Sequence, residues 1–325
     1  MKRTKSVLLA VFTACLVAAT PAMADQFPSR PIKILHPFSA GSATDAALRL
    51  ISRKATEIIG QQIVVENRPS SGGILAMAAL KNATPDGYTL MQGSQGMFAV
   101  APHLMAGFAY DPRKDFQPVA QLWESNYLLI VPASSPVKSA ADLIALARQK
   151  QGGLSNATQG VGSAAHLSGA IMEKALGIPL THVPYSGGAA AKPDLLTGRV
   201  DMSFVIYGIY KPEIENGTVR VLGITTPERV AVWPQIPTLA GAGYGKVEYV
   251  EWFGLFGPPG MDPSITRILN EAFSKAATSP EAAGALASTN SFIVKAMTPE
   301  ALGKQVEASY AEMKKLAADM GLQAQ

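Results

Sequence analysis

The sequence is poor in the residues and motifs that mark enzymes and metal sites. It contains one cysteine, Cys15, and four histidines, none of them spaced H-x-x-x-H or H-E-x-x-H. It has no G-x-S-x-G nucleophile elbow and no G-x-x-x-x-G-K-[ST] phosphate loop, and G-x-G-x-x-G does not follow the first predicted strand. We therefore expect no disulfide, no metal and no cofactor, and the common hydrolase and nucleotide-binding classes are disfavoured.

The N-terminus has the pattern of a secretory signal peptide. Three basic residues precede an apolar run, and A-M-A (22–24) follows it. This pattern predicts export and cleavage after Ala24. Cys15 then lies in the leader, and the mature chain has no thiol. The alternative is a lipoprotein in which Cys15 becomes the first residue.

Charge and length limit the remaining possibilities. The whole chain has 28 basic and 24 acidic residues, and three of the basic residues belong to the leader. The remaining balance is close to neutral and does not indicate nucleic-acid binding. The predicted mature chain exceeds the ~250–300 residues at which a single core stops growing, so we expect two domains. Outside the leader no run approaches ~20 apolar residues, and we expect a soluble protein.

Strand-like runs alternate with helical periodicity along most of the chain. The first part reads as strands 31–36, 62–66 and 88–91, separated by helices 44–60 and 73–81. This βαβαβ order predicts a parallel sheet covered by helices. The same alternation continues from residue 127 to residue 224, and the tail from residue 263 reads as almost wholly helical.

A helical tail has little with which to form a domain of its own, so we expect it to pack on the first half. The chain then crosses between the halves twice, near 125–131 and near 247–256. The predicted domains are 25–126 with 250–325, and 127–249. Two crossings form a hinge, and such hinges close around ligands.

Three turns rich in small residues lead from strands into helices, at 35–50, 158–167 and 184–191. A helix start presents free N–H groups and attracts anions. Ligands of open α/β sheets bind at the carboxyl ends of the strands, where these turns lie. The alternative is that small residues only permit close packing of helix on strand.

Several side chains have two interpretations. Asp45 can cap its helix or meet a donor on the ligand, and His166 can touch a ligand or hold its loop. Ser42 or Ser163 with His166 could serve a hydrolase, but no nucleophile–base–orienter set is visible.

The aromatic residues also divide into two groups. Those at or after strand ends are candidates for a cleft wall: Phe38, Phe98, Tyr185, Phe204 and Tyr207. Those near the crossings are expected in hinge and core packing: Trp123, Trp233, Tyr249, Trp252 and Phe253.

Ten ordered motifs resemble one known family. They are P-x-R-P-I-K (28–33), P-F-S-A-G-S-A-T-D-A-A-L-R (37–49), V-V-E-N-R-P-S-S-G-G (64–73), P-D-G-Y-T-L (85–90), D-F-Q-P-V-A (115–120), G-S-A-A-H-L (162–167), H-V-P-Y-S-G-G (182–188), D-L-L-T-G-R-V-D (194–201), Q-I-P-T-L-A (235–240) and W-F-G-L-F-G-P-P-G (252–260). Together they closely resemble the Bug family, the TctC-like periplasmic solute-binding proteins of tripartite tricarboxylate transporters.

The resemblance implies a fold and a function. The fold is the α/β type II periplasmic binding protein fold, with two domains joined by a two-crossing hinge and a ligand cleft between them. The function is periplasmic capture of a small organic carboxylate and its delivery to membrane permease subunits, by a monomer without enzymatic activity and without nucleic acid. A receptor that passes its ligand to a signalling partner is the alternative.

The resemblance also implies a binding site in which two opposed loops hold a carboxylate through backbone groups and bridging water. The candidate ligand-binding residues are Phe38, Ser39, Ala40, Gly41, Ser42, Thr44, Asp45, Ser94, Gln95, Gly160, Val161, Gly162, Ser163, His166, Tyr185, Ser186, Gly187, Phe204 and Tyr207. The chain departs from the family at Ser42, where a glycine is usual, and at Ser186, where a lysine or similar residue is usual. Both changes concern the distal part of the ligand more than its carboxylate.

Overall fold

Two β-sheets with helices packed against them organise the chain. The computed structural model describes residues 27–186, 188–290 and 292–321. The predicted signal peptide, residues 1–24, lies outside the described residues, as does Gly187. Within the described part of the chain, no helix is both long and apolar enough to span a bilayer.

The strands and helices alternate over most of the chain. In chain order they are β1 (Ile32–His36), α1 (Ala43–Ile59), β2 (Ile63–Asn67), a 3-10 turn (Ser71–Gly73), α2 (Ile74–Lys81), β3 (Thr89–Ser94), a π-helix (Gly96–Val100), α3 (Ala101–Leu104), β4 (Gln117–Asn126), β5 (Leu128–Pro132), α4 (Ala140–Gln149), β6 (Leu154–Thr158), α5 (Ala164–Leu176), β7 (Leu180–Pro184), α6 (Lys192–Leu196), β8 (Met202–Val205), α7 (Tyr207–Glu215), β9 (Val219–Ile224), β10 (Val250–Gly257), α8 (Pro263–Ala277), α9 (Pro280–Asn290), β11 (Phe292–Met297) and α10 (Pro299–Asp319).

The first sheet has six strands in the order β11-β4-β10-β3-β1-β2. β1 pairs in parallel with β2 and β3, which confirms the predicted βαβαβ start. β10 is antiparallel to both β3 and β4, so the sheet is mixed rather than wholly parallel. Its helices are amphipathic: α1 buries Leu48, Ile51 and Ala55 in the core of this sheet.

The prediction of an almost wholly helical tail is wrong at residues 292–297, which form β11 and pair antiparallel with β4. The segment begins with aromatic and β-branched residues, which favour strands. Phe292 is 1% exposed, and its ring stacks on Trp123 with 5.4 Å between centroids. Burial against a neighbouring strand decides the conformation of this short segment, and a periodicity pattern cannot show that contact.

The second sheet has five strands in the order β7-β6-β8-β5-β9. β6 is parallel to β7 and β8, and β5 is antiparallel to β8 and β9. We call the first sheet with α1, α2, α3, α8 and α9 the first lobe, and the second sheet with α4, α5, α6 and α7 the second lobe. The chain passes from the first sheet to the second between Asn126 and Leu128, and it re-enters the first sheet at Val250.

The two crossings are tied together by one threonine. The Thr225 hydroxyl accepts a hydrogen bond from the Tyr127 N–H at 3.1 Å and donates one to the Tyr249 carbonyl at 2.6 Å. The Thr225 backbone bonds the same two residues, donating to the Tyr127 carbonyl and accepting from the Tyr249 N–H. Thr225 is 0% exposed, so these groups have no access to water and depend on each other.

The last helix, α10, contacts both lobes. Trp252 of β10 donates from its indole N–H to the Ser309 hydroxyl at 3.0 Å, which fixes the middle of α10 to the first sheet. Further along, Met313 and Leu316 pack into the core of the second lobe, and Asp319 pairs with Lys174 of α5. The tail therefore extends beyond the first half of the chain, on which the sequence pattern alone would place it.

Replacing Thr225 with valine should destabilise the protein by about 2 kcal/mol or more, because the isosteric side chain leaves a buried N–H and a buried carbonyl without partners. Chemical denaturation measures the free energy of unfolding. Thr197→Val is the matched control, because Thr197 is exposed and its hydroxyl bonds only within its own helix; its effect should stay within ~0.5 kcal/mol. Equal effects of the two substitutions would contradict the role given to Thr225.

Candidate functional site

A cavity of about 560 Å³ lies between the two lobes. The first lobe contributes Phe38, Ser70, Gly72, Gly73, Ser94, Gly96, Met97, Val100, Ala101, Leu104, Met105 and Glu251, and the second lobe contributes Gln159, Val161, Gly162 and Ser163. Five predicted site residues meet here: Phe38, Ser94, Val161, Gly162 and Ser163. None of the lining residues is a lysine, an arginine or a histidine. Any anion held in this cavity must therefore be held by neutral groups.

The loops that begin α1 and α5 have the same construction. Ser42 and Ser163 are the N-caps, with φ/ψ of −67°/161° and −66°/157°. Each hydroxyl accepts from the backbone N–H three residues on, Asp45 at 3.2 Å and His166 at 3.3 Å. The sequence G-S-A-x-[D/H] thus forms one local structure in both lobes, because the serine satisfies a helix N–H that has no partner within the helix.

A glycine before each cap completes the loop. Gly41 has φ 78° and Gly162 has φ 79°, a left-handed conformation that strains residues with a side chain. The Gly41 N–H donates to Asp45 Oδ2 at 3.0 Å, and the Gly162 N–H donates to His166 Nδ1 at 3.2 Å. In both loops the last residue of G-S-A-x-[D/H] therefore accepts from the glycine four residues earlier and fixes the conformation of the loop.

The carboxylate of Asp45 accepts hydrogen bonds from three groups of the protein. Besides Gly41 it accepts from Arg49 Nε at 3.0 Å and from Asn67 Nδ2 at 2.8 Å. Burial raises the pKa of Asp45, but the hydrogen bonds from Arg49, Asn67 and Gly41 outweigh it and lower the pKa to about 2. Asp45 is 4% exposed, and its carboxylate is bonded to Arg49 of α1 and Asn67 of β2. Asp45 is therefore a loop organiser, meaning that its hydrogen bonds fix the conformation of the loop before α1.

His166 is held in its neutral form. Burial lowers the pKa of His166 to about 4, and the neighbouring His182, with ring centroids 4.6 Å apart, adds to this effect against the opposing charge of Glu173. A neutral imidazole can accept from the Gly162 N–H through Nδ1, whereas an imidazolium cannot. The Ser163 hydroxyl donates to the Gly160 carbonyl at 2.8 Å, not to this imidazole. The serine–base hydrogen bond that the hydrolase interpretation needs is therefore missing from this described loop.

The second-lobe loop closes against the first lobe at Gly162. A Cβ placed on Gly162 would lie 2.9 Å from Leu104 Cδ1 and 3.2 Å from Val100 Cγ1. The glycine is needed here for its conformation and also for this close approach. The wall of the cavity is thus continuous from the π-helix and α3 to the start of α5.

A third helix start, that of α2, lines the cavity at Gly72 and Gly73. Their φ values are 59° and 70°, and a Cβ on either would collide with the thioether of Met105 or of Met97. Ser70 supports this turn: its hydroxyl accepts from the Leu75 N–H at 3.1 Å and its carbonyl from the Gly73 N–H at 3.1 Å. Backbone and methionine side chains therefore lie in direct contact on this side.

Glu251 is the acidic residue of the cavity. Its Oε2 accepts from the Tyr127 hydroxyl at 2.9 Å, and the Ser94 hydroxyl and Gly96 N–H lie near its carboxyl group. Burial raises the pKa of Glu251, and these three donors lower it by less than burial raises it. Glu251 thus connects the first crossing of the hinge, at Tyr127, with the floor of the cavity.

The other predicted site residues lie outside this lining. Ser39, Ala40 and Gly41 are exposed in the α1 loop, Thr44 bonds the Ser42 hydroxyl at 3.1 Å, and Gly160 (φ 96°) accepts from Ser163.

The predicted residues outside these two loops lie elsewhere. Gln95 is buried and borders a different cavity, of about 570 Å³, beside Lys295 and residues 226–231. Tyr185 donates to Asp194 at 2.9 Å, Ser186 is exposed, Phe204 is 1% exposed in the second core, and Tyr207 stacks on Trp233 at 5.0 Å. Their assignment to the ligand stays a prediction.

Sequence reasoning missed Glu251 and the segments 70–73 and 96–105. The S-S-G-G of residues 70–73 is a turn of small residues before a helix, the same pattern that indicates a ligand site at 35–50, 158–167 and 184–191. Glu251 gave no such signal. It reaches the cavity because β10 runs antiparallel to β3 in a register that opposes Phe253 to Ser94, which places Glu251 beyond the end of β3, next to Gly96.

Acidification should destabilise the protein through His166. Its pKa is about 4 in the native state and ~6.5 when unfolded, so between these values the unfolded chain binds a proton that the native chain does not. Stability is therefore lost as the pH falls through this window, by about 2 kcal/mol from this group between pH 7 and pH 5. In His166→Asn an amide oxygen can replace Nδ1 as the acceptor, and the loss between these pH values should be smaller by about that amount. Urea titrations at both pH values test this, and an unchanged loss in the variant would contradict it.

Comparison with known proteins places the chain in a family. Residues 47–322 match the model of the tripartite tricarboxylate transporter family receptor, TctC. A protein encoded in the tcbD–tcbE intergenic region of Pseudomonas sp. strain P51 is 37% identical over 284 residues, which is 87% of this chain and 84% of that protein. The structure of the periplasmic binding protein BugD aligns with a TM-score of 0.74 and 27% identity, covering 92% of this chain and 100% of BugD.

A third relative was solved with a ligand. R. palustris Rpa4515 with adipate aligns with a TM-score of 0.79 and 32% identity, covering 92% of this chain and 100% of that one. The matched family is one of receptors and BugD is a periplasmic binding protein, so the chain is a solute receptor and not an enzyme, and the family implies a periplasmic location. The chain belongs to the TctC family, also called the Bug family, of periplasmic receptors of the tripartite tricarboxylate transporters.

Proposed function

We propose that this receptor binds a small organic anion with a carboxylate group in the cavity between its lobes and delivers it to the permease of a tripartite tricarboxylate transporter. The observation that carries the proposal is the cavity itself, where the starts of α2 and α5 meet across the two lobes without a basic side chain. The adipate bound by Rpa4515 supports a carboxylate as the ligand class.

The anchor for the carboxylate is the backbone at these helix starts. The first amides of α5, including those of Ala164 and Ala165, cannot bond within the helix, and the helix dipole adds a partial positive charge. Ala164 is half-buried beside the small residues Gly162 and Ser163, which leave room for a ligand near its amide, whereas Ala165 is 0% exposed. Backbone capture of this kind is well suited to anions when no lysine or arginine lines the cavity.

The lining residues divide into contact residues and supporting residues. We propose that Phe38, Ser94 and the segment 161–163 contact the ligand. Asp45 and His166 do not contact the ligand in this proposal; they accept hydrogen bonds from Gly41 and Gly162 and so fix the loops that do. The remaining predicted residues reach the ligand only if the lobes rearrange around it.

We propose the domain limits 25–126 with 250–325 and 127–249, with the hinge at the paired crossings. Thr225 and its partners let the lobes rotate while the crossings stay bonded. α10, which contacts both lobes, limits that rotation. Export by a cleaved signal peptide and action as a monomer complete the proposal; the permease as partner follows from the family.

A carboxylate ligand should raise the melting temperature. At a ligand concentration of 100 times Kd the native state gains ~2.7 kcal/mol, which corresponds to a shift of about 5 °C for a protein of this size. A thermal-shift screen of mono-, di- and tricarboxylates, aromatic acids and amino acids, on protein refolded to remove carried-over ligand, tests this. Amines and neutral sugars of similar size are the control set. No shift with any acid at millimolar concentration would refute the proposal.

Val161→Trp should abolish binding without unfolding the protein. Val161 is 57% exposed and lines the cavity, so an indole there fills ligand space without disturbing a buried core. The matched control is Val232→Trp, because Val232 is 49% exposed and does not belong to the cavity lining. We expect at least a hundredfold loss of affinity for Val161→Trp and none for the control. Unchanged affinity in Val161→Trp would remove this cavity from the binding site.

A further inference from the structure

Glu251 is an unexpected residue in a cavity that receives an anion. It is the acidic member of the lining, and the lining contains no basic side chain to balance it. A carboxylate ligand placed against Glu251 would meet a like charge, which is unfavourable at close range. The position of Glu251 therefore constrains which ligands fit.

The orientation of the Glu251 side chain is fixed by the protein. The Tyr127 hydroxyl donates to Oε2 at 2.9 Å. Gly96 lies beside the carboxyl group, since a Cβ on Gly96 would lie 3.3 Å from Oε1. The Tyr127 hydroxyl, in the first crossing, therefore holds this carboxyl group at the cavity.

The charge of Glu251 is not compensated by the protein. Among the described residues, no lysine, arginine or histidine lies within 4.0 Å of its carboxylate oxygens. Burial raises the pKa of Glu251, because desolvation disfavours the charged carboxylate. A partly buried carboxylate without a cation is stabilised when a cation arrives. The missing cation can come from the ligand.

The cavity therefore has three chemically distinct parts. The starts of α5 and α2 line it at Gly162–Ser163 and Gly72–Gly73, where the helix dipole is positive, Val100 and Leu104 provide an apolar wall, and Glu251 contributes a carboxyl group. A molecule that matches all three has a carboxylate, a short hydrocarbon part and a positively charged donor.

We propose that the ligand is an organic acid that also carries an ammonium group, and that Glu251 receives this ammonium. This inference rests on the proposed function, because the carboxylate of the same ligand occupies the helix starts. Glu251 is then the residue that selects amino-bearing acids over dicarboxylates of the same length. Its Tyr127 bond holds it in the position where the ammonium arrives.

Matched acids test the inference by isothermal titration calorimetry on refolded protein. The pairs with a terminal exchange are 4-aminobutanoate with succinate, 5-aminopentanoate with glutarate, and 6-aminohexanoate with adipate. The pairs with an added α-ammonium are aspartate with succinate and glutamate with glutarate. In the best-binding pair, the amino-bearing acid should bind at least tenfold more tightly than its partner.

Glu251→Gln tests the residue itself. The glutamine keeps the size and an acceptor for the Tyr127 hydroxyl but removes the charge, so the amino preference should fall at least tenfold. Glu248→Gln is the matched control: Glu248 lies near the same hinge and borders the cavity that contains Gln95, not this one, and its preference should be unchanged. Should Glu251→Gln not fold, the wild-type ranking of the pairs decides alone.

The outcomes separate the two proposals. Binding of dicarboxylates as tightly as, or more tightly than, their amino-bearing partners would overturn the inference and leave the proposed function standing. A folded Glu251→Gln protein that keeps the wild-type preference would likewise overturn the inference alone. If none of these acids and no acid of the wider screen binds, the proposed function fails, and the inference fails with it.

Discussion

The unpaired N–H groups at the helix starts are the constraint on which the rest of this structure depends. Each helix has first amides that its own turns cannot satisfy. The chain satisfies one of them at α1 and at α5 with a serine cap, and it ties the preceding glycine to Asp45 or His166. At α5 the cap Ser163 and the preceding Gly162 border a cavity of about 560 Å³ that has no basic side chain among its lining residues. In the proposed function, the anion binds at this helix start, where no basic side chain competes with the backbone for it.

The cavity and the hinge are connected through Glu251. Its carboxyl group bonds the hydroxyl of Tyr127, and the backbone of Tyr127 is bound in turn by Thr225. Thr225 also bonds Tyr249 in the other crossing. A ligand group that contacts Glu251 therefore acts one residue away from the point where both crossings meet. In the proposed complex, this link would couple the ligand contact at Glu251 to closure of the lobes, since closure is favoured by whatever binds the closed form more tightly.

Much of the fold could be predicted from the sequence, since helical periodicity and Gly60 marked α1, and short apolar runs marked the parallel strands β1 and β2. β11 was missed because its strand conformation depends on burial of Phe292 against Trp123, a contact between residues far apart in sequence. In the site, the glycine–serine turns were visible because their chemistry is local. Glu251 was not, because the antiparallel register of β10 brings it to the cavity.

The structure gives individual residues of the two glycine–serine loops separate roles. The hydroxyl of Ser42 caps α1 and bonds Thr44. Asp45 is a loop organiser with all of its contacts inside the first lobe. The two interpretations of the small residues, close packing and ligand access, are compatible, since Gly162 combines contact with Leu104 and a place in the cavity lining.

Amide hydrogen exchange with and without a bound acid tests the central claim most directly, because it locates the ligand without any substitution. The account predicts slower exchange on ligand binding at the starts of α2 and α5, in the segments 72–75 and 162–165, and no comparable change around Lys295 in the cavity behind the hinge. Protection confined to the region of Lys295, with the starts of α2 and α5 unchanged, would contradict it.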